Sequence, residues 1–202
     1  VTLLWSTADP TQPPTQLVAE GAESWSLAFS PDGRTLAAGD GQGNVWLWQV
    51  AAPAQGPRVL NVQIGPVQAL AFSPDGGALA AGGIDGSVVI RRLRDDQTLA
   101  TLRGHDDGVR ALAYSDDGRL LASGGADNAV RLWATDDLRR PSVLLRGHSG
   151  DLLALAFSAD GASLWSGAED GLVRRWPLRT DELLALSCAT AGRNLTLAEW
   201  TG

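Results

Sequence analysis

Four residues, His105, Ser123, Asp127 and Trp133, recur as His148, Ser166, Asp170 and Trp176, each displaced by 43 residues. Scattered positions that fall into one register mark a tandem repeat. A repeat constrains the fold more than any other feature, because each unit must be one supersecondary element that buries its apolar surface against its neighbours. The same register runs through a turn motif, Phe/Tyr-Ser-x-Asp-Gly, which begins at Phe29, Phe72, Tyr114 and Phe157, spaced 43, 42 and 43 residues. The tryptophan position reads Trp5, Trp48, Arg91, Trp133 and Trp176. The chain therefore holds four units, preceded by the end of a fifth.

Each unit reads as four short strands. In the third, residues 109–115 alternate, and Asp116-Asp117-Gly118 makes a turn. A second strand follows at 120–124. Asp127-Asn128 signals a hairpin of type I′, since both residues tolerate φ > 0. A third strand at 130–134 and, after Pro141, a fourth at 142–145 complete the unit. Equivalent strands fall at 25–30, 35–39, 45–48 and 58–60 in the first unit. In the second they fall at 67–73, 78–82, 88–92 and 98–102, and in the fourth at 152–158, 162–166 and 172–176. Trp5 aligns with a third strand and Leu17-Val18 with a fourth. Short strands punctuated by turns at this spacing mean an all-β architecture. After residue 178 the pattern changes to helix: Thr180 can cap it, Leu183, Leu184 and Leu186 form a partial stripe, and Gly192 stops it. Thr196 to Glu199 fits a capping box.

Composition narrows the partners. All 16 basic residues are arginine and the net charge is −7, which argues against a phosphate backbone and hence against nucleic acid. The single cysteine, Cys188, excludes an internal disulfide framework and fits a reducing, cytoplasmic compartment. No apolar run approaches the length of a membrane span, so no membrane partner is expected, and no N-terminal signal segment is visible. Methionine is absent, which is the expectation for a processed or excised piece.

On these residues, over positions 1 to about 178, the sequence resembles the WD40 repeat family. The resemblance implies an all-β WD40 β-propeller, one four-stranded blade per repeat. It places a partial blade at 1–20 and repeats starting near 21, 64, 106 and 149, followed by a helical tail at 179–202. The departures are that Trp-Asp never occurs (Trp48-Gln49, Trp133-Ala134, Trp176-Pro177) and that the first two units lack Gly-His. The chain begins mid-blade, and no outer strand follows Trp176. The expectation is the C-terminal part of a larger ring. Residues 181–200 resemble the segment after the last WD40 repeat in bacterial STAND-type signalling ATPases, which implies a parent protein with a separate effector domain. The chain itself has no phosphate-binding Gly-x-x-x-x-Gly-Lys motif.

The His, Ser and Asp of units three and four are the residue types of nucleophilic catalysis. A catalytic triad occurs once per site, however, whereas this set recurs once per unit with a Trp. The resemblance implies a buried hydrogen-bond chain from Trp to Ser to His to Asp. Buried polar groups need every partner, so loss should be joint. The first unit reads Glu20, Ala38, Gln42 and Trp48; the second reads Gln63, Ala81, Asp85 and Arg91. The paired aspartates at 106–107, 116–117 and 136–137 lack the spacing of a calcium loop, and the two histidines lie in different units. The expectation is no metal, no cofactor and no catalytic residue. The residues for partner contact are those the resemblance places on one rim of the channel. They are Glu23 and Asp151, Trp25, Gln68, Arg110 and Leu153 at the start of innermost strands, and Ile84 and Glu169 before the hairpin turn. Trp and Arg are the types enriched at interface hot spots. The reading is a non-catalytic interaction or sensor module that binds protein partners or other domains of its parent. The alternatives are a self-assembling structural fragment or, less favoured, a propeller-borne hydrolase.

Overall fold

The computed structural model describes residues 2–19 and 23–178. They form antiparallel sheets and almost no helix; a 3-10 turn at Pro53–Gln55 is the exception. An N-terminal pair, β1 (Thr2–Leu4) and β2 (Thr15–Leu17), precedes the first unit, β3 (Ser24–Phe29), β4 (Thr35–Asp40), β5 (Asn44–Gln49) and β6 (Arg58–Asn61). The second unit is β7 (Val67–Phe72), β8 (Ala78–Gly83), β9 (Val88–Arg92) and β10 (Gln97–Leu102). The third is β11 (Val109–Tyr114), β12 (Leu120–Gly125), β13 (Ala129–Ala134) and β14 (Val143–Arg146). The fourth has three described strands, β15 (Leu152–Phe157), β16 (Ser163–Ala168) and β17 (Val173–Pro177). The strands of each unit pair in sequence order, and the innermost strands β3, β7, β11 and β15 stand side by side.

The turns explain the motif spacing. In each Ser-x-Asp-Gly turn the serine hydroxyl donates to the Asp carboxylate (Ser30 to Asp32, 2.6 Å; Ser115 to Asp117, 2.7 Å) and accepts from the backbone five residues on. The serine hydrogen bond holds Asp32, Asp75, Asp117 and Asp160 below the usual carboxylate range. The hairpin turn departs from type I′, which needs positive φ at both central residues. One residue per turn is left-handed: Gly43, Gly86, Asn128 (φ 61°) and Gly171, again in register. The preceding Asp instead closes the turn through its carboxylate: Asp127 accepts from Ala129 N at 3.2 Å and Asp170 from Leu172 N at 3.0 Å.

Neighbouring units pack face to face. Ala37, Val45 and Leu47 of the first share a core with Val67, Leu70, Phe72, Leu79 and Ala81 of the second. The next joint repeats this with Ala80, Val88 and Ile90 against Val109, Leu121 and Trp133, and the third with Ala122, Val130 and Leu132 against Leu152 and Leu164. Each buried Val, Leu, Ile or Phe side chain among them contributes about 1.5–3 kcal/mol relative to exposure. The approach is close enough to dictate glycine. A Cβ on Gly82 would lie 2.6 Å from Val109, and one on Gly124 would lie 2.7 Å from Leu152.

The two end faces differ from these joints. Leu27 and Phe29 on β3 are 55% and 53% exposed, although their counterparts Leu70 and Phe72 are buried. On the last unit Val173 is 71% exposed where Val45, Val88 and Val130 are buried, and nothing lies within 4 Å of a Cβ on Gly167. Trp165 occupies the register of the buried Ala37, Ala80 and Ala122, yet is 43% exposed. Trp46 packs against the Leu36, Ala38 and Trp48 cluster, whereas Trp165 has no described sheet over it. Trp5 lies just beyond β1, exposed, and Val18 just beyond β2. The expected C-terminal helix, Cys188 and Glu20 fall outside the described residues. Among the described residues no helix is long and apolar enough to cross a membrane.

Candidate functional site

The structure brings both tetrads together. In the third unit His105 enters from the loop before β11, Ser123 lies on β12, Asp127 in the following turn and Trp133 on β13. Trp133 Nε1 donates to Ser123 Oγ at 2.9 Å, and Ser123 Oγ lies 2.8 Å from His105 Nε2. His105 Nδ1 lies 2.9 and 3.1 Å from the two Asp127 oxygens. An indole can only donate and a carboxylate here accepts, so the protons run one way: Trp to Ser, Ser to His Nε2, His Nδ1 to Asp. Asp127 also accepts from Asp106 N at 3.1 Å. The fourth unit repeats the set. Trp176 Nε1 donates to Ser166 Oγ at 2.7 Å, Ser166 to His148 Nε2 at 2.8 Å, and His148 Nδ1 to Asp170 at 2.9 Å.

Burial decides what this arrangement can do. Ser123 is 0% exposed and both histidines are buried, so no substrate reaches the hydroxyl. Desolvation pushes His105 below its ordinary value against the pull of Asp127, which keeps the ring neutral as the hydrogen-bond direction requires. Burial raises Asp127, but the bonds from His105 and two backbone N–H groups outweigh it and leave it lowered. Asp170, held first by Ser149 N, falls to about 2. The tetrads are ties between strands, with no open nucleophile.

The first two units solve the same problem differently. Asp40, at the end of β4 and almost fully buried, accepts from Gln42 N, Asn44 N, Asn44 Nδ2 and Trp46 Nε1 at 2.8 to 2.9 Å. Sequence comparison missed it because Asp40 sits two residues ahead of the repeat's Asp register; the spacing of Asp40, Asn44 and Trp46 was the available signal. In the second unit Asp85 accepts from Ser87 N and Oγ, and Arg91 donates to the carbonyls of Asn61 and Asp96. Gln63 is exposed with φ 56°.

Four of the residues expected on a rim share one backbone feature invisible in the sequence. Pairing of innermost strand with second strand skips one residue in every unit, and the skipped residues are Trp25, Gln68, Arg110 and Leu153. Such bulges re-aim a side chain and are common beside functional sites. Trp25, Ile84 and Leu153 are each about half exposed. Equivalent backbone bonds recur in the last three units: Ile84 N donates to Pro66 O, Ala126 N to Gly108 O at 2.8 Å, and Glu169 N to Asp151 O at 2.9 Å. Contacts also cross between units. Gly108 abuts Ile84 and Gln68, and Arg110 pairs with Asp151 at 2.9 Å. Trp25 lies over Gly41, the first unit's counterpart of Ile84. Glu23 is exposed on the loop entering β3. Among the described residues no group of three or more His, Cys, Asp or Glu is placed to hold a metal ion.

No curated protein sequence matches the chain. A solved structure described as U3-55K is similar, with a TM-score of 0.71 and 24% identity over 80% of this chain. The chain spans about half of that structure, 51% of its length, and at this identity the likeness concerns the fold alone. The family model for the WD domain, G-beta repeat, matches residues 15–49, 58–91, 96–134 and 139–177, one match per unit. The chain belongs to the WD40 repeat family.

Proposed function

We propose that this chain is a non-catalytic interaction module that binds protein partners through the rim of Glu23, Trp25, Gln68, Ile84, Arg110, Asp151, Leu153 and Glu169. WD40 repeat domains are in general protein-interaction scaffolds. The observation that supports the reading is the bulge in all four innermost strands, at Trp25, Gln68, Arg110 and Leu153, since such bulges re-aim side chains and are common beside functional sites. The sealed, recurring tetrads support a non-catalytic role, since a reaction centre needs a constellation that one unit alone provides. The resemblance of residues 181–200 to the segment after the WD40 repeats of bacterial STAND-type ATPases supports a finer reading. The module, residues 1–178 with a tail at 179–202, would be the sensor of a cytoplasmic bacterial signalling or defence protein, and partner binding would release an effector. The open faces at Leu27–Phe29 and at Val173 fit docking of further blades in a larger ring. Nucleic acid and membranes are not proposed as partners, given the net charge of −7.

Benzoyl-phenylalanine introduced at Ile84 or Leu153, with Asp116 at the opposite end as control, tests the rim. A discrete cross-linked adduct from the rim sites alone, lost on Trp25→Ala, is the expected result. Equal adducts from Asp116, or adducts indifferent to Trp25→Ala, would sink the reading. A second reading, self-assembly of copies of the chain, is favoured by the same open faces.

A further inference from the structure

The two ends of the units differ in how their carboxylates are compensated. At the Ser-x-Asp-Gly end, six aspartates are accompanied by arginines: Arg34 with Asp32, Arg119 with Asp117, Arg92 with Asp95, Arg58 with Asp96, and Arg140 with both Asp136 and Asp137; Asp75 and Asp116 have no ion-pair partner among the described residues. At the rim end one Arg–Asp pair is present among the described residues, Arg110 with Asp151, and it neutralises itself. Glu23, Asp106, Asp107 and Glu169 remain exposed there with no ion-pair partner among the described residues. Arg103 and Arg146 sit at the ends of the outermost strands β10 and β14, and Arg131 and Arg174, on the third strands β13 and β17, lie against Gly104 and Gly147, so none of the four stands on an innermost strand. The inner rim is thus a row of exposed apolar side chains, Trp25, Ile84 and Leu153, set among uncompensated negative charge.

Resting on the rim reading, we infer that the partner presents a cationic segment interleaved with apolar side chains, an Arg- or Lys-rich stretch of a protein chain. The apolar row supplies contact area, and Trp is the residue type that dominates such contacts. The negative field selects the sign of the partner and speeds its arrival. A charge-compensated rim would accept either sign, and this one rejects an acidic partner by like-charge repulsion. The Arg110–Asp151 pair spans the joint between units three and four, so it holds the rim together without reversing its sign.

The test is fluorescence anisotropy of the full chain with a labelled peptide of repeated Arg-Leu-Ser, beside a Glu-Leu-Ser counterpart and an oligouridylate. The Arg peptide should bind, and raising salt from about 50 to about 300 mM should weaken it roughly tenfold. Trp25→Ala should weaken it about tenfold, and Glu23→Gln with Glu169→Gln about threefold or more. Asp116→Asn, which removes the same charge at the other end, should leave it within about twofold. Binding of the Glu peptide or the oligouridylate that is at least as tight and that Trp25→Ala abolishes would overturn the cationic inference and leave the rim reading standing. Arg-peptide binding that Asp116→Asn weakens as much as the rim variants would overturn both. Absence of peptide binding overturns the inference, and the rim reading then rests on the cross-linking result.

Discussion

At the residue scale, the tetrads turn a spacing into an energy. His148 is buried between Ser166 and Asp170, and removing its ring strands both. His148→Ala should destabilise by about 1–3 kcal/mol, the cost of leaving buried partners unpaired. Gln63→Ala, at the exposed counterpart in the second unit, should cost no more than about 0.5 kcal/mol. Urea denaturation of the two variants decides it, and equal costs would refute the tetrad argument. Asp40→Ala belongs with His148, since four donors converge on that carboxylate. The tetrads were legible because their members keep one register across two units. The Asp40 network was not, because a side chain can reach the same turn from two residues upstream, and spacing alone does not see that. A pH dependence follows at the same scale. Burial lowers His105 below 6.5, so the unfolded chain binds its proton first as pH falls. Stability rises with pH wherever the unfolded state binds more protons. The contribution of His105 is therefore present above about 6.5 and is lost progressively as pH drops toward its depressed folded value. Urea midpoints of the parent and of His105→Gln, measured between about pH 7.5 and 5, should converge toward acid. A gap that stays constant would show the ring is not held neutral.

At the element scale, strand order and number were readable from period and turn signals, and the observed bounds lie within two residues of those expected. Two features were hidden. The bulges at Trp25, Gln68, Arg110 and Leu153 depend on pairing between strands, which a one-dimensional pattern of alternation does not encode. The hairpin turns hid the second feature, because Asp127-Asn128 satisfies the residue preferences of a type I′ turn while the Asp carboxylate stabilises another geometry. Sheet-to-sheet packing makes its own prediction. Gly124 and Gly167 hold the same register on β12 and β16, yet a Cβ on the first meets Leu152 at 2.7 Å and one on the second meets nothing within 4 Å. Gly124→Ala should therefore cost about 1–3 kcal/mol by overpacking, and Gly167→Ala should be tolerated within about 0.5 kcal/mol. Thermal melts of the two variants check this directly. A comparable loss at Gly167 would mean that the face is covered in solution.

At the scale of the whole molecule, a repeat array is stabilised by its joints, so a unit without a neighbour exposes what the others bury. Leu27 and Phe29 stand on one such face and Val173 and Trp165 on the other, and the array as described is open at both ends. Exposed apolar faces of this kind drive association. The chain in isolation should self-associate through them, and light scattering after size exclusion should give a mass that rises with concentration above the 21.1 kDa of one chain. Leu27→Asp with Val173→Asp places a charge on each face and should return the mass to that of a monomer without loss of β-sheet signal in circular dichroism. A fixed oligomer that survives both substitutions would favour assembly as a designed property of the chain, through edges rather than faces. A monomer without any substitution would mean that residues outside the described segment cover the faces, and Gly167→Ala would then become the sensitive variant. This scale was the least legible in the sequence. Register revealed four units and the end of a fifth, but the same alanine, valine and glycine positions recur whether or not a neighbour is there to bury them. Only Trp165, in the place of three alanines, distinguishes the last face from the joints before it.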